Sequence, residues 1–402
     1  MTGGPLSGVR ILDMGHDWAC PHAARLLADF GAEVIKVEYL RRLDGMRGGN
    51  KVNSAYNRHP RFFQLHRNKL SVTLDLRHPK ELDFYKDLVR ISDVVMENSR
   101  PGVMDRLGLG YDALKGLKPD IILLSMSAFG RTGPDHAYAG YGGTIEALSG
   151  IQSLTAYGRD DMPKRIREMD VTNGILGACA VLTALVQRQR TGQGAWIDLS
   201  EMEAATSGLI GEHFLELAVN GAASLPVGNR HRSAAPHGCY RCAGEDRWIV
   251  LTVQSQAEWE RLCGIIGRPD LMHDPRCASP SERVRHHQEI DESITAWTVN
   301  QKAIEAVRRL QEAGIASGIV ADARDLCDDP HLTARHWFQT IGGRDEARYP
   351  GFPFRMEEGG GQLRRRGPDL GEDNTVILRQ LLGRADTLTW TDDDIGTAFD
   401  PE

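Results

Sequence analysis

The sequence predicts an α/β fold built on a largely parallel sheet, and two kinds of segment support this prediction. Short apolar runs, which are typical of buried strands, alternate with amphipathic stretches of helical length. The predicted strands are residues 9–13, 32–38, 94–96, 121–126 and 195–200. The predicted helices are residues 21–30, 82–91, 170–190 and 201–219. Ligands of such sheets bind beyond the carboxyl ends of the strands, so we expect the functional site there.

The chain has 402 residues, which is long enough for more than one domain. The composition changes at residues 224–230, where a proline and a glycine indicate a linker, and again at residues 328–330. The clearest elements of a smaller α+β unit between these points are a strand at 248–253 and helices at 257–266 and 301–313. A last helix is predicted at 374–382. We therefore predict domains at residues 1–224 and 225–330, followed by a segment at 331–402.

The overall composition is that of a soluble globular protein, with 41% hydrophobic and 26% charged residues. A net charge of -7 argues against a general nucleic-acid binder. The first residues lack the charged and apolar regions of a signal peptide, and glycine, threonine or charged residues interrupt the apolar runs. We therefore expect a cytoplasmic protein that binds neither nucleic acid nor a membrane.

The seven cysteines are odd in number and widely scattered, which does not fit a disulfide framework. Cys239 and Cys242 form a single Cys-x-x-Cys motif without a second pair at zinc-site spacing. We expect these two to be ordinary strand cysteines, and we expect no metal site.

Polar residues at two places are candidates for ligand binding. Eight basic residues between positions 41 and 69 are offset only by Asp44, which suits a phosphate-bearing ligand and equally a solvated basic loop. Asn98 follows the strand at 94–96, where its amide can hold a ligand's polar groups or simply form a turn.

Asp170 stands at the entrance of a long apolar helix that ends in basic residues and glycines. Such a carboxylate can cap the helix, and the spacing alone favours that interpretation. Thr172 and Asn173 can also satisfy the helix amides, so the cap does not depend on Asp170. An ionised carboxylate at a helix N-terminus can instead attack an activated acyl group.

Several segments together resemble the class III coenzyme A-transferase family, also called the CaiB/BaiF family. The resemblance includes Leu-Ala-Asp-Phe-Gly-Ala-Glu-Val-Ile-Lys-Val-Glu at residues 27–38 and Arg-Pro-Gly at residues 100–102. In chain order, the matching segments are residues 6–13, 27–38, 68–76, 97–98, 100–108, 129–134, 190–194, 228–230, 314–318 and 368–372. The resemblance implies a large Rossmann-like domain, a small domain and a chain that returns to the large domain. It also implies that two subunits interlock as a homodimer.

The family's catalytic aspartate falls on Asp170. The resemblance implies that Asp170 attacks an acyl-CoA thioester and forms a mixed anhydride, which CoA thiolate converts into an enzyme-bound CoA thioester. A carboxylic acid then takes over the CoA by the reverse steps. Acyl-CoA and the acid are substrates in this scheme, and no tightly bound cofactor or metal ion is implied.

The family's CoA-binding positions fall on Trp18, Leu74, Asn98 and Arg106. Tyr39 departs from the family pattern, and we expect its ring to stack on adenine. The expected charge beside that ring comes from Arg41 or Arg42.

Three further departures concern how the reacting group is shielded and used. Ser99 replaces a common aromatic residue, and residues 225–232 lack the glycine-rich loop that closes over the aspartate in some members. Related α-methylacyl-CoA racemases pair the aspartate with a histidine after an Ala-Gly dipeptide, where this chain has Tyr141. Because tyrosine is a poor base near neutral pH, we favour a transferase over a racemase. A non-catalytic CoA-binding protein is the third interpretation.

Overall fold

The computed structural model describes residues 4–48, 52–341 and 347–386, together with residues 388, 390, 391 and 394. Two compact units divide the chain. The large unit consists of Met1–Ile151, Arg165–Leu215 and His336–Glu402, and the small unit consists of Gln152–Lys164 and Glu216–Arg335. The division at residues 224 and 330 stays a prediction about the domains.

The described strands, in chain order, are β1 Arg10–Asp13, β2 Glu33–Glu38, β3 Lys69–Thr73, β4 Val94–Glu97, β5 Ile122–Ser127, β6 Ala195–Ser200, β7 His237–Arg241, β8 Trp248–Thr252, β9 Ser317–Ile319, β10 Phe338–Thr340 and β11 Arg348–Pro350. The described α-helices are α1 Ala19–Asp29, α2 Pro60–His66, α3 Pro79–Arg90, α4 Val103–Arg106, α5 Tyr111–Leu117, α6 Gly142–Leu148, α7 Met169–Thr191, α8 Glu201–Leu209, α9 Gly211–Asn220, α10 Gln256–Ile265, α11 Pro280–Arg285, α12 His287–Thr298, α13 Ala303–Glu312, α14 Ala323–Cys327 and α15 Pro330–Ala334. Short 3-10 segments and a π-helix at Val376–Leu381 complete the regular structure of the described residues.

The large unit is built on a six-stranded sheet in the order β3-β2-β1-β4-β5-β6, and every neighbouring pair is parallel. The α/β prediction is therefore confirmed. The chain runs outward from β1 to β3 on one side and from β4 to β6 on the other, so the strand order reverses between β1 and β4. Such a reversal leaves a crevice at the carboxyl ends of the two central strands.

Strands β1 to β5 are largely buried on both faces, which explains why most of them read as apolar runs. The edge strand β6 instead alternates between exposed and less exposed residues. Ile11 and its neighbours on one face pack with α1 and α7, and Leu12 and its neighbours on the other face pack with α3 and α5. Helix α7 approaches α1 closely at Gly174, where an added Cβ would lie 2.5 Å from His22 Cδ2. This close packing fixes the start of α7, and therefore Asp170, relative to the sheet.

The single helix predicted at 201–219 is wrong in one respect, because two helices, α8 and α9, meet at Ile210. Gly208 and Gly211 flank the break, and glycine disfavours a continuous helix.

By length and composition, α7 is the one described helix that could cross a membrane, a test that the core helix of a soluble protein also passes.

Two buried ion pairs hold the loop that follows β1. Lys69 Nζ lies 2.7 Å from Asp13 Oδ2, and Lys36 Nζ lies 3.1 Å from Asp44 Oδ2, with all four side chains fully buried. Lys36 also donates a hydrogen bond to the carbonyl of Gly15, and the Gly15 amide donates to Asp13 Oδ1 at 2.9 Å. The path of the chain out of β1 is therefore fixed by charge as well as by packing.

The small unit has its own sheet and core. Strands β7, β8 and β9 form an antiparallel sheet in that order. Helices α10, α12 and α13 contribute to a buried apolar cluster around Trp259. A Ser255–Glu258 capping box begins α10, with each side chain accepting from the other's backbone amide.

We predict that Lys69→Met destabilises the large unit by about 3–5 kcal/mol, because it leaves the Asp13 carboxylate buried without its partner. The free energy of local unfolding can be measured by hydrogen exchange of the β1 and β3 amides. Arg90→Gln is the matched control, since it removes an exposed pair with Asp87 and should cost about 0–1 kcal/mol. Equal effects of the two changes would contradict the structural role of the buried pair.

Candidate active site

A cleft of about 1040 Å³ lies at the carboxyl edge of the large sheet. The residue directly after each of the six strands lines it: Met14, Tyr39, Leu74, Asn98, Ala128 and Glu201. The start of α7 adds Asp170, the segment before α6 adds Tyr138 through Tyr141, and the start of α6 adds Gly142. The cleft therefore occupies the crevice that the reversed strand order creates.

Asn98 joins the two central loops across this crevice. Its Oδ1 accepts from the His16 amide at 2.8 Å, and its Nδ2 donates to the His16 carbonyl at 2.9 Å. Burial and the charge of Lys36 lower the pKa of His16 to about 4, so its imidazole is neutral near pH 7. These two hydrogen bonds fix the distance between the loops that follow β1 and β4. A direct contact of Asn98 with CoA stays a prediction.

Asp170 is the second residue of α7, and Glu168 is the N-cap residue, without a side-chain cap bond. The Asp170 carboxylate makes no hydrogen bond or ion pair of its own with a described residue, so it has no visible capping role. Its Oδ2 lies so close to α6 that a Cβ added to Gly142 would lie 2.9 Å from it. The carboxylate is therefore placed at the cleft surface by close packing and is available for chemistry.

Burial and two charged neighbours set the pKa of Asp170. Burial raises the pKa of Asp170 and the negative charge of Glu146 adds to this, while the positive charge of Arg165 opposes it. Arg165 Nε lies 3.2 Å from Glu146 Oε2, and Glu146 is fully buried. Arg165 also lines the cleft, so an anchored cation stands beside the Asp170 carboxylate.

Glu201 is another carboxyl group that lines the cleft, and it was not among the predicted site residues. It is 7% exposed, and burial, with a further contribution from the charge of Asp170, raises its pKa to about 7. The available signal in the sequence was its position directly after the strand at 195–200, where an acidic side chain meets the carboxyl edge of the sheet.

Exposed arginines line the opposite part of the cleft, on the connections that follow β2, β3 and β4. They are Arg42, Arg61, Arg77, Arg100 and Arg106. Arg106 makes no ion pair with any described residue. This part of the cleft can therefore bind anionic groups such as phosphates.

Other members of the basic segment at 41–69 have structural roles. Arg47 is paired with Glu38 at 2.7 Å and Arg67 with Asp29 at 2.9 Å, and all four side chains are buried. Together with Lys69, these residues do not face a ligand, so the solvated-loop and phosphate-site interpretations are both wrong for them. Their charges stabilise buried carboxylates instead.

Of the remaining residues predicted to contact CoA, Trp18, Tyr39 and Leu74 line the cleft, and Arg41 does not. Arg77 Cζ lies 4.8 Å from the centroid of the Tyr39 ring, Leu74 is buried beside it, and Trp18 is the N-cap residue of α1. Arg41 lines a smaller neighbouring cavity of about 190 Å³, which shares Tyr39 and Leu74 with the cleft. The structure thus groups Trp18, Tyr39, Leu74, Asn98, Arg106 and Asp170, and places Arg41 next to them.

Comparison with known proteins decides the family. The model described as CoA-transferase family III matches residues 6–374. The chain belongs to CoA-transferase family III. It is 36% identical over 386 residues to a succinyl-CoA–D-citramalate CoA-transferase of Chloroflexus aurantiacus, covering 94% of each chain. A crystal structure of a CaiB/BaiF family protein from Brucella suis has a TM-score of 0.86 at 27% identity, covering 94% of this chain and 100% of that one.

A probable CoA-transferase of Mycobacterium tuberculosis is 34% identical over 397 residues, covering 95% of this chain. This chain spans 49% of that relative's length, so the relative is about twice as long. The family resemblance predicted from the sequence is confirmed by these findings.

Tyr141 stands where the resemblance places a histidine in racemases. Tyr141 is 70% exposed and lines the cleft just before α6. An imidazole also lines the cleft, that of His136, whose Nδ1 lies 2.7 Å from the Gly133 carbonyl oxygen. The sequence analysis did not single out His136, whose imidazole is a side chain of the type that can act as a base.

Proposed function

We propose that this protein moves CoA from an acyl-CoA donor to a carboxylic acid, with Asp170 as the nucleophile. The observation that carries this proposal is the Asp170 carboxylate, placed in the cleft of a family III CoA-transferase without a hydrogen bond that would occupy it. An Asp170 oxygen forms a bond to the thioester carbon, and the C–S bond breaks with its electron pair leaving on sulfur. The products of this step are a mixed anhydride and CoA thiolate.

The later steps conserve the energy of the thioester. The thiolate attacks the Asp170 carbonyl, which releases the donor acid and leaves CoA bound to Asp170 as a thioester. The acceptor carboxylate attacks that carbonyl and expels CoA thiolate, which leaves a second mixed anhydride on Asp170. The thiolate then attacks the acceptor's acyl carbon, and the C–O bond to Asp170 breaks and frees its carboxylate. Each intermediate would be lost to water, so the partial burial of Asp170 supports the proposal.

For the donor, a dicarboxylic acyl-CoA such as succinyl-CoA is our preferred class. The C. aurantiacus relative is named for succinyl-CoA and D-citramalate. Arg165 supplies a cation next to Asp170, and the buried Glu146 orients it. An arginine in this position suits a second carboxylate on the acyl group, because a fixed cation offsets the cost of removing that charge from water.

The proposed CoA site uses the arginine-lined part of the cleft. Tyr39 would stack on adenine, with Arg41 or Arg42 beside it, and Arg106 would contact phosphate. Trp18 and Leu74 would contact the pantetheine arm, with Asn98 supporting it. CoA binds as a substrate in this scheme, with no tightly held cofactor and no metal ion.

Asp170→Asn should lower the rate of CoA transfer by roughly 10³-fold or more, because the amide is a poor nucleophile. Transfer is measured with acyl-CoA donors, succinyl-CoA first, against a panel of carboxylic acids. Hydroxylamine added during turnover should label Asp170, and mass spectrometry locates the label. Glu168→Gln changes an exposed carboxylate two residues away and should leave the rate and the labelling unchanged.

Labelling at a residue other than Asp170 with a competent donor would rule out this mechanism. Exchange of the α-hydrogen with deuterated water in the absence of an acceptor acid would favour the racemase, for which His136 in the cleft is the supporting observation. CoA binding without transfer or exchange would indicate a non-catalytic CoA-binding protein.

Arg106→Gln should raise KM for the acyl-CoA roughly tenfold with little change in kcat, because a charge-assisted contact with phosphate is lost. Steady-state kinetics with CoA esters and with the matching pantetheine esters measure this effect. The variant and the wild type should differ only for CoA esters. Arg90→Gln, on the outer surface of α3, is the control, and an equal KM change in it would contradict the assignment.

We also propose that the protein is a homodimer. Helix α7 exposes Ile175, Leu176, Leu182 and Val186 at 38–47% each, and the ten-residue helix α9 has no buried residue although it carries Phe214 and Leu215. Apolar surfaces of this kind are typical of an interface between copies. The proposed compartment is the cytoplasm, and no nucleic acid or membrane partner is proposed.

Sedimentation velocity at micromolar concentration should give the mass of a dimer. Ile175→Glu should shift the protein toward monomer, because it buries a charge at the proposed interface. Arg190→Gln, an exposed change at the end of α7, should leave the dimer intact. A wild-type monomer over the whole concentration range would overturn the proposal.

A further inference from the structure

Glu201 and Asp170 are two carboxyl groups in one cleft with different surroundings. Glu201 is 7% exposed, lines the cleft and makes no hydrogen bond or ion pair with any described residue. It does not cap its helix, because the Ser200 hydroxyl accepts the hydrogen bond from the Glu203 amide and caps α8. Burying a carboxyl group costs free energy, and at Glu201 no hydrogen bond or ion pair within the described protein offsets that cost. A structural role therefore does not explain why a glutamate stands there.

Among the described residues, no cation forms an ion pair with Glu201 from the elements packed around it. From α6, Glu146 is turned to Arg165, and from β6, Asp198 accepts hydrogen bonds from the Arg131 amide. On its own helix, Glu203 is exposed. From α7 the facing group is Asp170, whose negative charge acts directly on Glu201.

We propose that Glu201 donates a proton to the CoA sulfur when it leaves and takes that proton back when it returns. This assignment rests on the proposed function. As Asp170 attacks the thioester, the C–S bond breaks, and sulfur receives the Glu201 proton, giving CoA thiol and a Glu201 carboxylate. When the sulfur attacks the Asp170 carbonyl, the carboxylate removes the thiol proton. No proton is gained or lost over the cycle.

The timing of this transfer follows from the charge on Asp170. Burial and then the Asp170 charge hold the pKa of Glu201 at about 7, so a large part of it is protonated near neutral pH. Anhydride formation turns the Asp170 carboxylate into a neutral group and removes the second of these two causes. Glu201 therefore becomes a stronger acid at the moment when a thiolate, with an ordinary thiol pKa of about 8.5, needs a proton.

The sign of the pH dependence is fixed by the state of the free enzyme. The first step needs protonated Glu201, so its contribution is present below pH 7 and is lost as pH rises through the Glu201 pKa of about 7. Asp170 must be ionised for the same step, which gives a separate loss of activity at low pH. The expected profile of kcat/KM is a bell whose alkaline side reports Glu201.

Glu201→Gln keeps the size and polarity of the side chain but removes its titrating proton. We expect kcat to fall about 10²-fold, KM for the acyl-CoA to change little and the alkaline side of the bell to disappear. Glu203→Gln is the matched control on the same helix and should keep the wild-type rate and profile. Hydroxylamine should still label Asp170 in Glu201→Gln, more slowly, because the nucleophile is intact.

A second measurement does not need turnover. Infrared titration follows the protonated carboxyl of Glu201, assigned as the band that Glu201→Gln removes. In Asp170→Asn the pKa of Glu201 should be lower than in the wild type, because the repelling charge is gone. An unchanged or higher pKa would overturn the coupling, whatever the activity shows.

The outcomes separate this proposal from the proposed function. Normal transfer with labelled Asp170, but an unchanged rate and pH profile in Glu201→Gln, would overturn the role of Glu201 alone. Failure of the wild type to transfer CoA between any donor and acid would overturn both. Exchange of the α-hydrogen that depends on Glu201 and needs no acceptor would replace both with an acid/base isomerase.

Discussion

The buried ion pair between Lys69 and Asp13 is the constraint on which the site depends. Asp13 ends β1 and Lys69 begins β3, so the pair ties the exit of the central strand to the edge of the sheet. The Lys36–Asp44 pair fixes the same loop from β2, and Lys36 also holds the Gly15 carbonyl. Burying these charges is costly unless each is matched, so the loop has one favourable path. That path places His16 and Trp18 on the cleft wall, where Asn98 locks the opposite loop to them.

Charged side chains are distributed unevenly along the cleft that these fixed loops form. The arginines follow β2, β3 and β4, while Glu201 follows β6 and Asp170 begins the helix before it. Since β3 and β6 are the two edges of the sheet, the arginines lie toward one edge and the carboxyl groups of Asp170 and Glu201 toward the other. Phosphates are attracted to the basic part and repelled from the acidic part, whereas a neutral thioester can enter the acidic part. The arginines therefore favour an orientation in which the phosphates of an acyl-CoA lie away from Asp170 and Glu201.

The sequence predicted five of the six strands of the large sheet, because a buried parallel strand reads as a short apolar run such as 121–126. It missed β3, where the polar residues Lys69, Ser71 and Thr73 interrupt the apolar pattern although they are buried. For Asn98 the sequence left a ligand contact and a simple turn open, and the structure shows that Asn98 lines the cleft. The sequence could not separate Arg106, which is exposed in the cleft, from Arg67, which is buried against Asp29, because the difference arises only from tertiary packing. Glu201 was missed for the same reason: a glutamate that begins a helix is ordinary until a neighbouring carboxylate and its burial are known.

The proposed roles of Asp170 and Glu201 need opposite protonation states, and the charges around the two groups favour both. Asp170 must be an anion to attack, and Glu201 must be neutral to protonate the departing sulfur. Arg165 favours the anion at Asp170, whereas no cation among the described residues stabilises an anion at Glu201. The Asp170 anion itself then keeps Glu201 protonated, so each group holds the other in its working state. Once Asp170 is acylated, the negative charge passes to sulfur and from there to Glu201, and the acidic part of the cleft carries the same net charge before and after the step.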